Sequence, residues 1–370
     1  MVANQFHPDY ATSPGATLVE ILSERSMRQG DLAKRTGLAR KTINEIIAGK
    51  APLTPETAQK FELVFGTPAR FWNERERLYR QHLAQHAQDK KLSHHLGWEK
   101  NFPYGELVKR GKLNASTNPL RKIRNLCRFF AIAEPASIEN VFADLAIAGT
   151  LFRRGSRAES KPYLVWTWLR LAQLEAGQAD TPKFQKAGFA RAAGAIARRT
   201  AGIVDPAGFS RFWHETRDAC MAAGVALVLV PEFKGAAING AAFWQSDTPV
   251  IALTLRGKRL DGFVFTLLHE AAHILLHRRN LSFMDVEYVI TGGVDRAAVE
   301  KDADEFATQH FVPPQFDEKI RTATTLEEIE ALATDAGVHR DLIIGRYGRL
   351  TNVYARFAAH KLQLSWDEFS

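Results

Sequence analysis

The reading of this chain turns on the stretch Phe265-Thr-Leu-Leu-His-Glu-Ala-Ala-His-Ile-Leu-Leu-His277. Apolar Phe265, Leu268, Ala272 and Leu275 recur at helical spacing, which predicts a helix with a buried face and Asp261 as its N-cap. On that helix His269 and His273 stand four residues apart and share one face, so two imidazoles can bind one ion. Glu270 lies between them, placed to take a proton from water on that ion. Catalytic zinc takes three protein ligands and leaves a position for water, so a third ligand is required. His277 continues the series, but each four-residue step turns about 40° around the helix, and three such imidazoles do not converge on one ion. It reads as a histidine bonded to a nearby backbone carbonyl. The extended HExxHxxGxxH arrangement is excluded, because Leu276 and Arg279 stand where glycine and histidine are needed. Downstream, a helix from Ala297 to Phe311, ended by Pro313 and Pro314, places Glu300 on one face with Ala303 and Ala307. Those small side chains allow close approach to another helix, so Glu300 is the expected third ligand. Asp302 and Asp304 are expected to point elsewhere, and Glu305 to be a solvated charge.

The sequence ahead of this helix changes character. Val225 to Pro231, Ala241 to Gln245 and Val250 to Leu255 are short apolar or β-rich runs bounded by Gly, Pro and Asp, the pattern of a small sheet. Val250 to Leu255 is a candidate for an open edge that takes an extended substrate by strand addition, with a plain core strand as the alternative. Helical patterns cover Asn118 to Phe130, Ile138 to Ala148, Tyr163 to Ala176 and Phe184 to Thr200 before the sheet, and Thr325 to Ala336 and Arg340 to Gly348 near the end. The fold class is therefore mostly α with a small β-sheet, an α+β protein.

Near the N-terminus, four short helices are expected: Thr17 to Glu24, Gln29 to Thr36, Arg40 to Ala48 and Pro55 to Phe65, punctuated by Gly37, Gly49 and Gly66. The second and third, joined at Gly37, have helix-turn-helix spacing. Leu32, Ala33, Leu38, Ile43 and Ile46 or Ile47 supply a shared core. That leaves Gln29, Arg40, Lys41, Thr42, Asn44 and Lys50 as candidate DNA contacts, the positions from which such motifs read the major groove. The window Arg25 to Lys50 holds seven basic residues against Asp31 and Glu45. Arg28 and Ala39 stand where a serine cap is usual, a loss of about 1 kcal/mol each. A polar stretch rich in Gln, His and Lys, His82 to Lys91, reads as a connector.

The whole chain of 370 residues is long enough for at least two folding units. Its 45% hydrophobic and 24% charged content is that of a globular protein. No apolar run approaches the roughly 18 residues of a membrane span, and no secretory signal opens the sequence, so a cytoplasmic location without membrane association is expected. Two cysteines without a CxxC pair exclude a cysteine zinc site. A formal net charge of +8 suits a polyanionic partner.

The segment Phe265 to His277, Glu300-Lys-Asp-Ala-Asp-Glu-Phe-Ala307, Phe311-Val-Pro-Pro314, Asn239-Gly-Ala-Ala-Phe-Trp244 and Leu342-Ile-Ile-Gly-Arg-Tyr347 together resemble the ImmA/IrrE family of metallopeptidases, over roughly residues 150 to 350. Asp302 and Asp304 depart from that family's commoner residues. Pro14 to Trp72, including Thr42-Ile-Asn-Glu-Ile46, Leu53-Thr-Pro55 and Phe65-Gly-Thr-Pro68, resembles the HigA-type antitoxins of the lambda-repressor-like, XRE-type class. The resemblance implies a zincin-like, gluzincin-type endopeptidase holding Zn2+ on His269, His273 and Glu300, with Glu270 as general base and a transcriptional repressor as substrate. The domains expected are helix-turn-helix (1–73), helical connector (74–150), metallopeptidase (151–350) and C-terminal tail (351–370). Such a protein is expected to bind operator DNA as a homodimer and to cleave itself or a partner repressor or antitoxin, switching a stress, prophage or toxin-antitoxin operon. The alternative is an antitoxin-like repressor whose peptidase-fold domain is a non-catalytic sensor.

Overall fold

The computed structural model describes residues 12–141, 162–277 and 296–369, in two units that divide between Leu96 and Gly97. That division falls within the stretch 74–150. Position 150, and the expected helix beyond Val141, lie outside the described residues.

The first unit contains α1 (Pro14–Glu24), α2 (Gln29–Thr36), α3 (Arg40–Ile47), α4 (Pro55–Phe65) and α5 (Ala69–Ser93). Each start and stop has a local cause. Ser13 Oγ accepts from the Ala16 amide at 3.0 Å and Thr54 Oγ1 from the Thr57 amide at 3.3 Å, capping α1 and α4. Gly37, with φ of +69°, lets the chain leave α2 through the left-handed conformation. Leu18, Leu32, Ile43, Ile46, Phe61 and Trp72 close the core, with Trp72 edge-on to Phe61 at 5.2 Å. Ala33, Leu38 and Ile47 pack against it partly exposed. Beyond Trp72, α5 runs on for most of its 25 residues with its side chains largely in solvent.

In the second unit, β1 (Ala226–Leu229), β2 (Gly240–Gln245) and β3 (Thr248–Leu253) form one sheet in the order β1-β3-β2. β3 pairs parallel with β1 and antiparallel with β2. It is thus the central strand, and the open edge considered for Val250 to Leu255 does not exist. Both faces of the sheet are covered, which is why its strands read as unbroken apolar runs rather than alternating ones. Ala242, Trp244, Ile251 and Leu253 face the core built by the helices Lys186–Arg199, Pro206–Ala222, Leu260–Leu276 and Arg340–Thr351. Ala241, Phe243, Val250 and Ala252 face a second core made with Tyr104–Lys109, Pro119–Phe130 and Pro162–Ala176.

The helix Leu260–Leu276 lies against the sheet at Gly240, where a Cβ would fall 2.8 Å from Thr266 Cγ2 and 2.9 Å from Leu253 Cδ2. Only glycine permits that approach. Asp261 is not its N-cap: the cap is Arg259, and Asp261 stands in the first turn. Its carboxylate instead takes Lys361 Nζ at 2.6 Å, a partner 100 residues away that local reading does not reveal. Around this pair the chain's last part is stitched to the base of the helix. The Leu364 amide donates to Lys258 O at 2.9 Å, Arg259 bridges to Gln363, and Phe357 and Leu364 are buried in the core.

Asp341, in the first turn of Arg340–Thr351, is fully buried beside this junction and accepts the Leu362 amide at 2.8 Å. Burial pushes its carboxyl from the ordinary 3.8 up to about 6, with Asp261 adding to the effect and the Leu362 hydrogen bond, Lys361 and Arg340 opposing it. A carboxyl raised by folding favours the native state while protonated, so its contribution is whole below about pH 4 and is lost as pH rises through about 6. Asp341→Asn keeps an acceptor for Leu362 and removes the titration. Chemical denaturation should therefore find the variant gaining on wild type between pH 4 and pH 7, by up to about 3 kcal/mol. A stability difference independent of pH would contradict the assignment.

Candidate metal centre and helix-turn-helix face

The helix Leu260–Leu276 is buried nearly all round, so its polar residues stand inside the protein. His269, Glu270 and His273 are 2%, 0% and 6% exposed. Against this helix packs Arg296–Phe311, which presents Ala303 and Ala307, both fully buried. Methyl groups at these two positions let the helix carrying Glu300 come close. His269 Nε2 lies 3.1 Å from His273 Nε2 and 3.3 Å from Glu300 Oε2. One ligand atom from each of the three residues falls within 4.8 Å of the others.

The outer ring atoms bear on what this cluster could hold. His269 Nδ1 is 3.0 Å from Asp304 Oδ1. An ionised carboxylate only accepts, so His269 carries a proton on Nδ1 and turns toward Glu300 either a lone pair or a second proton on Nε2. Facing a carboxylate oxygen, the lone pair needs positive charge between them, from a proton or from a metal ion. Two donors each about 2.0–2.1 Å from one tetrahedral zinc ion lie about 3.3–3.4 Å apart, close to both separations observed. Two imidazoles and a carboxylate are also a donor set suited to zinc. The residues fit the ion.

His273 is held neutral: burial first, then the neighbouring His269 and His277 rings, push it down to about 2. Its Nδ1 is 3.0 Å from His277 Nδ1. For His273 to present a lone pair at Nε2, Nδ1 must donate to His277, which then carries its own proton on Nε2. His277 therefore bonds to the far side of a ligand ring rather than to a backbone carbonyl, the partner expected from sequence. Burial lowers its pKa too, opposed by Asp302 and Glu300. His277 is the C-cap of the helix, its amide donating to His273 O at 3.3 Å.

Asp304 is the residue that the sequence reading misplaced. It does not point away: it is four residues from Glu300, on the same face, and meets the ring of His269 from outside. The i, i+4 relation to the chosen ligand was the signal available. Arg349 lies behind it, 3.9 Å from Asp304 Oδ2 and over the ring of Phe265 at 5.1 Å. Asp302 is solvent-exposed, and Glu305 is exposed in a pair with Lys301 at 3.7 Å.

In the first unit Arg40, Lys41, Asn44 and Lys50 are exposed, and Gln29 and Thr42 are half-buried. Not every basic residue of the window is free for a partner. Arg25 donates to Phe65 O at 2.6 Å and closes the end of α4, and Arg28 is engaged with Asp31 at 3.4 Å. Lys41 makes only a loose pair with Glu45 at 3.9 Å, worth about 0.3–0.5 kcal/mol. At α2 Arg28 makes no side-chain cap hydrogen bond, and Asp31 accepts the Arg28 amide at 3.3 Å. At α3 no side chain caps the start, so the first-turn amides beside Arg40 and Lys41 keep no side-chain acceptor of their own.

Comparison with known proteins agrees with the two units. Residues 20–72 match the family model described as helix-turn-helix, and residues 221–346 match the peptidase family described as IrrE N-terminal-like domain. No curated protein and no solved structure gives a significant match. The chain thus joins a DNA-binding helix-turn-helix domain to a metallopeptidase-like domain. No helix among the described residues is long and apolar enough to cross a membrane.

The geometry separates three carboxylates by metal content. Glu300→Ala should lose bound metal, and Asp302→Ala should retain it. Asp304→Ala should still fill at saturation but with affinity lowered about 10–100-fold, because only the orientation of His269 is lost. Full retention in Glu300→Ala, or loss in Asp302→Ala, would move the third ligand.

Proposed function

From a chain that joins a helix-turn-helix domain to an IrrE N-terminal-like domain, we propose a DNA-binding transcriptional regulator with a zinc-dependent endopeptidase, which cleaves itself or a partner repressor or antitoxin and so switches a stress, prophage or toxin-antitoxin operon. The observation that carries the reading is the convergence of His269 Nε2, His273 Nε2 and Glu300 Oε2 beside the fully buried Glu270, in the same chain as a basic helix-turn-helix. When bound, zinc supplies Lewis-acid chemistry, lowering the pKa of a coordinated water toward about 7 and polarising the scissile carbonyl.

The chain's own residues do the rest. His269, His273 and Glu300 would hold the ion. Asp304 and His277 fix the two rings from behind, so that both Nε2 atoms face inward without rearrangement. Glu270, one residue past the first ligand, takes the proton from the attacking water and later delivers it to the departing amine. Its burial keeps bulk water away from that proton. Glu270→Gln should hold zinc as wild type does and abolish cleavage of the protein or its partner repressor, read by intact mass over time. Undiminished proteolysis in the zinc-loaded variant would remove Glu270 from the chemistry. Failure of wild type to cleave would favour a sensor role for the domain.

On the DNA side, Arg40, Lys41 and Asn44 at the exposed start of α3 serve as groove contacts, and the uncapped amides of its first turn serve as phosphate donors. A homodimer on a two-fold operator fits this mode of reading. Arg40→Ala and Lys41→Ala should each weaken promoter binding. Where the replaced residue contacts phosphate, its loss also lowers the magnitude of the slope of log K against log salt by about 1. Binding by both variants like that of wild type would remove this face from recognition.

A further inference from the structure

The polar stretch of α5 and the residues just after it are rich in histidine. Of 12 histidines in the chain, His82, His86, His94 and His95 fall within 14 residues. His82 and His86 are four apart on a continuous helix, the same spacing as the ligand pair of the HExxH helix. The likeness extends to the rings. Those of His82 and His86 have centroids 4.3 Å apart and planes at 72°, and those of His269 and His273 are 4.7 Å apart at 82°. His86 is exposed and His82 half-buried, so an ion reaches both from solvent. No hydrogen bond to either ring is found among the described residues. Asp89, seven residues past His82 and so only about 20° from it around the helix, adds negative charge to the same face.

We propose that His82 and His86 form a second metal site, a two-imidazole chelate for a divalent transition ion whose remaining positions are filled by water. Imidazole suits Zn2+, Cu2+ and Ni2+ and does not suit Mg2+, which prefers oxygen ligands and keeps its water. With two protein donors instead of three, this site holds its ion more weakly than the HExxH centre and exchanges it with solvent. It stands independently of the peptidase reading.

The test is metal stoichiometry on the full chain, stripped of metal and dialysed to equilibrium against Zn2+, against Ni2+, and against Mg2+ as control. Wild type should bind two equivalents of Zn2+. The double variant His82→Ala, His86→Ala should lose the weaker one, His269→Ala the tighter one, and His94→Ala with His95→Ala neither. Mg2+ should occupy neither histidine site. The rings are at the surface, so the double variant should keep its helical circular dichroism. A wild type with one equivalent, lost only in His269→Ala, overturns the second site while leaving the peptidase centre standing. Unchanged stoichiometry in the His82, His86 variant, or loss on changing His94 and His95 instead, overturns it as well. Loss confined to the His82, His86 variant would do the reverse, sinking the HExxH centre alone.

Discussion

The metal centre proposed for this protein depends on which way two imidazole rings face. A histidine offers a metal only the nitrogen that lacks a proton, and that choice is made by whatever bonds the other nitrogen. At His269 the choice is made by Asp304 from the neighbouring helix, and at His273 by His277 one turn along the same helix. Both partners lie behind the rings, and both leave Nε2 facing Glu300. The paired helices therefore hold the site's geometry before an ion arrives, and the cost of assembling like charge and lone pairs in a dry interior is met by their packing.

That packing is built from small residues at the right places. Gly240 lets the HExxH helix lie against the sheet, and Ala303 and Ala307 let the acidic helix lie against the HExxH helix. A larger side chain at either surface would push the helices apart and displace a ligand, and metal–ligand distances tolerate only about 0.2 Å of that. At the other end, Lys361 on Asp261 and the backbone pairing of Arg259 with Gln363 tie the helix base to the end of the chain. Residues after 350 are thus part of the support for the site.

The parts legible in the sequence were those with a local cause. The HExxH spacing, the positions of the strands and the turns at Gly37 and Gly66 each follow from neighbours within a few residues. The α+β class followed from the same patterns. The rest needs long-range information: the central place of β3 is set by strand partners far away in sequence, and the partner of Asp261, Lys361, is 100 residues off. Asp304 is a different case. Its spacing from Glu300 is visible in the sequence, but its partner, the ring of His269, lies 35 residues away on another helix.

The most direct measurement is an anomalous diffraction map at the zinc edge from crystals of the metal-loaded chain. The account predicts a peak within about 2.0–2.2 Å of His269 Nε2, His273 Nε2 and a Glu300 oxygen, with Asp304 still on His269 Nδ1. Density bound through the Nδ1 atoms, a peak held by His277, or no peak at this cluster would contradict it.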